Sequence, residues 1–92
     1  MKWTIEYTDD AQKTFLKLDR PIREQIIKYL KNLSALQNPR LRGEKLKGNL
    51  SEFWKYRVGD YRLICDIQDD KLLVLIVKIG HRREIYKKTP QP

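Results

Sequence analysis

The sequence predicts an α+β fold: an N-terminal strand, a two-helix hairpin, then a three-stranded antiparallel meander, with both helices packed on one face of the sheet. Three observations predict it. Apolar residues alternate with polar ones near the N-terminus, two consecutive stretches carry apolar residues at helical spacing, and from Glu52 onward the period returns to two with two turn signals between the runs.

In order, Lys2 to Tyr7 reads as a strand, because Trp3, Ile5 and Tyr7 alternate with polar neighbours. Thr8 or Asp9 caps a short helix whose Ala11, Phe15 and Leu18 fall on one side. Asp19 caps the second helix and Pro21 is tolerated in its first turn, with Ile22, Ile26, Tyr29, Leu30, Leu33 and Leu36 as the buried stripe. Asn38-Pro39 ends it, and a basic loop punctuated by Gly43 and Gly48 runs to about Asn49. The strands are Phe53 to Val58, Tyr61 to Ile67 and Lys71 to Ile79, joined by a two-residue turn at Gly59-Asp60 and a second turn at Gln68-Asp69-Asp70. One domain spans residues 1–88, and 89–92, with two prolines, form a disordered tail.

Ninety-two residues suffice for a single core. Twenty Lys and Arg against twelve Asp and Glu give a formal net charge of +8, which draws polyanions to the surface. Nucleic acid, an acidic protein and an anionic membrane surface all fit that charge. The longest apolar run, Leu72 to Val77, is too short to cross a bilayer and no apolar signal core opens the chain, so a cytoplasmic protein without membrane attachment is expected. Cys65, the single cysteine, lies among apolar neighbours as a buried structural thiol.

A two-residue turn at Gly59-Asp60 sets Val58 opposite Tyr61, Arg57 opposite Arg62 and Lys55 opposite Ile64. Lys55, Arg57 and Arg62 then share one face, while Trp54, Tyr56, Leu63 and Cys65 share the other, facing the helices. Like charges directly across a ladder cost up to about 1 kcal/mol when exposed, an arrangement that makes sense if an anion lies there. Cations on an open sheet face are also ordinary solubility devices. The basic loop residues Arg40, Arg42, Lys45 and Lys47, with Arg83, are candidates for polyanion contacts, or are simply solvated.

One histidine, one cysteine and scattered acids provide neither a metal site nor a hydrolytic triad, and no glycine-rich phosphate loop is present, so neither metal nor cofactor is expected. Chemistry supplied by the substrate remains, and RNA carries its own nucleophile, the 2′-hydroxyl. Arginine suits the charged phosphorane that forms when this oxygen attacks the adjacent phosphorus. A lysine serving as base needs its pKa lowered by roughly three units, which neighbouring cations promote, and Lys55 stands among arginines.

At Trp54-Lys55-Tyr56-Arg57, Tyr61-Arg62-Leu63-Ile64 and Ile79-Gly80-His81-Arg82-Arg83-Glu84-Ile85-Tyr86 the sequence resembles the RelE branch of the RelE/ParE toxin superfamily, as does the Lys-Leu-Lys-Gly segment before the meander. The resemblance implies a bacterial or archaeal toxin of a type II toxin-antitoxin pair, a metal-independent endoribonuclease that cleaves messenger RNA in the ribosomal A site. It implies an antitoxin that wraps the basic surface. Lys55 and Arg57 match the family's basic strand residues, Arg62 the phosphate-binding arginine, Arg82 the general acid and Tyr86 the ring that stacks on a base.

Three departures matter. Arg57 stands where a second lysine is familiar, which favours Lys55 as base. His81 precedes Arg82 where lysine can stand, and related branches use a histidine as base; His81 is therefore the alternative base, since histidine ordinarily titrates near about 6.5. The proline-bearing tail departs from a mobile terminal helix. Regular alternation from Ile79 sets His81 on the cationic face and Arg82 away from it, whereas a bulge or break at Gly80 reverses this, and the resemblance favours Arg82. Two other functions stay open: ParE-like, non-enzymatic inhibition of DNA gyrase, and plain RNA binding.

Overall fold

A computed structural model describes residues 2–85, so Tyr86 and the tail expected at 89–92 lie outside the described residues. The chain runs through β1 (Thr4–Tyr7), α1 (Asp9–Lys17), α2 (Arg20–Ser34), β2 (Glu44–Lys45), β3 (Phe53–Val58), β4 (Tyr61–Gln68) and β5 (Leu73–His81). The five strands make one sheet in the order β1-β5-β4-β3-β2. The α+β class, the helical hairpin and the antiparallel β3-β4-β5 meander follow the sequence pattern. Both helices lie on one face.

Three features exceed the pattern. β1 pairs with β5 in parallel, making the sheet mixed, because the helical hairpin carries the chain over and back before the meander starts. Inside the basic loop, Glu44 and Lys45 pair with Lys55 and Trp54 as a two-residue edge strand, too short for any periodicity to show. The segment read as a turn at Gln68-Asp69-Asp70 is a 3-10 turn over Asp69–Lys71 closed by Leu72 in the left-handed region (φ 48°), so β5 starts two residues later than expected and extends to His81.

Helix ends are built from local chemistry. The Thr8 hydroxyl accepts from Ala11 N–H at 3.2 Å and so caps α1, whereas Asp19 precedes α2 without a side-chain capping bond. Between helices and sheet, Ala11, Ile26, Leu30 and Leu33 meet Tyr56, Leu63, Cys65, Val74, Ile76 and Ile79. Full burial pushes the Cys65 thiol pKa up and keeps it protonated, as befits a packing residue. The buried Tyr56 hydroxyl donates to Pro39 O at 2.8 Å, which pins the loop before β2 to the sheet. Trp3, 4% exposed, belongs to the same core. Among the described residues no helix is long and apolar enough to cross a membrane.

One irregularity controls the site. Ile64 pairs with Lys78 but Cys65 pairs with Ile76, leaving Val77 as an extra residue in β5. Thr8 sits at this bulge, its N–H donating to Ile76 O at 2.9 Å and its hydroxyl to Val77 O at 3.3 Å. The residue that caps α1 thus also bonds to the bulge of β5.

Candidate functional site

The β3-β4 hairpin has the expected register: Lys55 opposite Ile64, Arg57 opposite Arg62 and Val58 opposite Tyr61. Gly59, at φ 59°, supplies the left-handed residue that the tight turn requires. Arg62 folds back over the turn, its Nη1 donating to Gly59 O at 3.0 Å and Tyr61 O at 2.9 Å. Lys55, Arg57 and Arg62 line an open groove of about 510 Å³ together with Arg82 and Arg83. Among the described residues no carboxylate lines the groove itself, although Glu44 and Asp60 stand beside its cations.

Arg82 reaches this groove because of the bulge at Val77, and not through a break at Gly80. Before the bulge Val74 and Ile76 face the helices; after it Ile79 and His81 do, opposite Leu63 and Tyr61. The expected alternation from Ile79 is therefore corrected: Gly80 and Arg62 share the open face, and His81 lies on the helix side. Its ring meets Tyr61 edge-on, with centroids 5.5 Å apart, and it lines a separate cavity of about 380 Å³ beside α1 that includes Asp10 and Thr14. Pairing continues one residue past β5. Arg82 N–H donates to Asp60 O at 2.8 Å, and its Nε lies 3.5 Å from the Asp60 carboxylate.

Gly80 has a steric duty of its own. A Cβ there would come within 2.7 Å of Ile85 Cδ1 and 3.3 Å of its Cβ, so glycine lets the chain fold back and tuck in Ile85, which is 1% exposed, without displacing that side chain. That fold-back sends Arg82 and Arg83 over the groove.

Glu44 was not singled out by sequence reasoning. From edge strand β2 its Oε1 lies 3.5 Å from Lys55 Nζ and 3.3 Å from Arg57 Nη2. It is the one acid between Arg40 and Lys47, which is the only signal the sequence offered. An internal carboxylate thus offsets part of the like-charge repulsion on β3.

The remaining candidates separate. Arg40 makes a two-pronged bond to Asp69, at 2.7 and 3.0 Å, and lies over the Trp54 ring at 5.8 Å, away from the groove. This fork holds the Asp69 carboxyl below its ordinary pKa. Arg42 stands in an adjoining cavity of about 310 Å³ with Tyr29, Glu44, Lys55 and Arg57, whereas Lys45 and Lys47 are exposed and line neither space. Tyr86 lies outside the described residues. Among the described residues no three His, Cys, Asp or Glu side chains converge as metal ligands. What the groove offers is charge-assisted donors from several directions around an open space that can admit a phosphate.

The family model described as "ParE toxin of type II toxin-antitoxin system, parDE" matches residues 5–86 of the chain. The mRNA interferase toxin RelE of Escherichia coli strain K12 is 32% identical over 89 residues, covering 94% of this chain and 92% of that protein. Among solved structures, the toxin-antitoxin complex RelBE2 of Mycobacterium tuberculosis contains a chain matching with a TM-score of 0.79 at 28% identity, over 89% of this chain and 93% of that one. The isolated E. coli RelE toxin matches with a TM-score of 0.69 at 26% identity, over 94% and 93%.

Proposed function

This chain belongs to the ParE toxin family of type II toxin-antitoxin systems and is a RelE-like toxin, and from that premise we propose that it is a metal-independent endoribonuclease acting on messenger RNA in the ribosomal A site. One observation carries the reading: a groove whose lining, among the described residues, is five cations and no carboxylate, open enough to admit a backbone phosphate. In the cytoplasm the ribosome presents the messenger there, and the cognate antitoxin covers the same basic surface.

The 2′-oxygen attacks the adjacent phosphorus, the bond to the 5′-oxygen breaks, and a 2′,3′-cyclic phosphate remains. Lys55 takes the 2′-hydroxyl proton. Arg57 and Arg62, on facing strands, hold the non-bridging oxygens as charge develops on them. Arg82 protonates the leaving 5′-oxygen, and Tyr86 stacks on a neighbouring base. Glu44 stands beside Lys55 as a second proton acceptor. Arg42 and Arg83 extend the contact surface for RNA and ribosome.

Mapping messenger ends in a cell-free translation system tests the reading. Wild type produces new 5′ ends within codons, and Arg82→Ala produces about a hundredfold fewer per unit time. Intact messenger in the presence of folded, ribosome-bound wild type would overturn it. The matched family description favours one second reading, a ParE-like block of DNA gyrase without chemistry, and a supercoiling assay run beside the mapping separates the two.

A further inference from the structure

We propose that His81 is a positioning residue that holds the arginine-bearing turn over the groove through its Nδ1 lone pair, and that it does not act as a base. This rests on the ribonuclease reading above for its functional consequence, while its structural content stands apart from it. The bulge at Val77 places His81 opposite Tyr61 on the helix side of the sheet, so the imidazole does not line the groove formed by Lys55, Arg57, Arg62, Arg82 and Arg83. Its Nδ1 accepts from Arg83 N–H at 3.1 Å. The lone pair a base would use is thereby engaged by the next-but-one residue's backbone.

The same residue organises the turn twice more. Its carbonyl accepts from Glu84 N–H and Ile85 N–H, both at 2.9 Å. Its ring is fixed edge-on against Tyr61 at 5.5 Å, which orients Nδ1 toward the turn. Side-chain acceptance from residue i+2 is the geometry of an Asx turn, here made by an imidazole. With Arg82 N–H held by Asp60 O on one side and Arg83 N–H by His81 on the other, both backbone amides that carry the groove's terminal arginines are tethered. Such tethers fix the backbone from which the two arginine side chains project, so that binding a phosphate has only the side chains left to order.

Asparagine can make the same i to i+2 bond without an imidazole, whereas phenylalanine keeps a ring against Tyr61 but has no acceptor. Messenger cleavage and amide exchange at Arg83 are measured for wild type, H81A, H81F and H81N. Loss of one neutral hydrogen bond corresponds to up to about tenfold, so H81A and H81F are expected to cleave about tenfold more slowly and to exchange the Arg83 amide about tenfold faster. H81N stays within about threefold of wild type in both. Cleavage by H81N as slow as by H81A would show that the imidazole itself is required, and unchanged Arg83 exchange in H81A would show that no tether exists; either overturns the proposal. If wild type cleaves no messenger, the ribonuclease reading fails, and the Arg83 exchange series still decides the tether.

Discussion

Arginine is used in opposite ways at the two ends of the meander. At the end near the β4-β5 turn, Arg40 is matched: a two-pronged bond to Asp69 as short as 2.7 Å, a Trp54 ring beneath it, and a side chain only 30% exposed. At the Gly59 end, Arg57 and Arg82 meet carboxylates at single contacts of 3.3 and 3.5 Å with more than half of each side chain exposed. A planar fork met by a planar carboxylate has its donors satisfied and holds two segments together. Forks gathered with too few acids keep donors for something else. Net charge cannot distinguish the two uses, but geometry can.

The largest effect that would test this contrast lies at the groove. Lys55→Ala should lower messenger cleavage by about a hundredfold or more while leaving the thermal unfolding midpoint close to wild type, since the side chain lies outside the helix-side core. A variant that cleaves normally would remove Lys55 from the chemistry. For single-stranded RNA, about four phosphate contacts give a log-log salt slope near about −3, and Arg57→Ala should bring it to about −2. An unchanged slope would mean that Arg57 does not meet phosphate.

The hairpin register was fully legible, because Gly59-Asp60 permits one tight turn and alternation then places Lys55, Arg57 and Arg62 without further information. The alternation of β5 was not. Its residues Leu73 to Val77 are all apolar, so no polar marker reveals the phase, and the bulge's hydrogen-bond partner is Thr8, about seventy residues earlier in the chain and silent about its partner. Hence regular counting gives His81 and Arg82 the wrong faces, and in the sequence only Gly80 and the resemblance speak for Arg82. Glu44 was missed for a different reason: a two-residue edge strand has no period, and an acid in a basic loop looks like solvation. Arg40 looked equivalent to Arg42 for want of any sign that Asp69, twenty-nine positions away, would meet it.

A smaller effect belongs to Glu44. Removing one exposed like-site anion should tighten RNA binding, and Glu44→Gln is expected to bind a single-stranded oligonucleotide about two- to fivefold more strongly at low salt, with the gain fading as salt rises. Weaker binding would show that Glu44 orders Lys55 and Arg57 more than it neutralises them. Its cleavage rate carries separate information: a loss of about a hundredfold in Glu44→Gln, with Lys55→Ala tolerated, would transfer the proton-accepting role to the carboxylate.

The smallest effect is expected at the matched end. Arg40 holds the Asp69 carboxyl below its ordinary pKa, chiefly through their hydrogen bond. A depressed acid stabilises the fold above its unfolded-state pKa, near about 3.9, and this contribution is lost as pH falls through the lower folded-state value. Asp69→Asn should therefore unfold at a temperature lower than wild type by about 4 °C or less at pH 7, and the gap should close on acidification below about pH 4. Because the carboxylate is exposed, added salt should narrow the gap as well. Messenger cleavage should be unaffected, since Asp69 lies outside the groove. A gap that persists in acid would mean that the loop is held by the packing of Arg40 on Trp54 and by Tyr56 on Pro39, with the charge pair as a bystander, and a fall in cleavage would mean that the two ends of the meander are coupled.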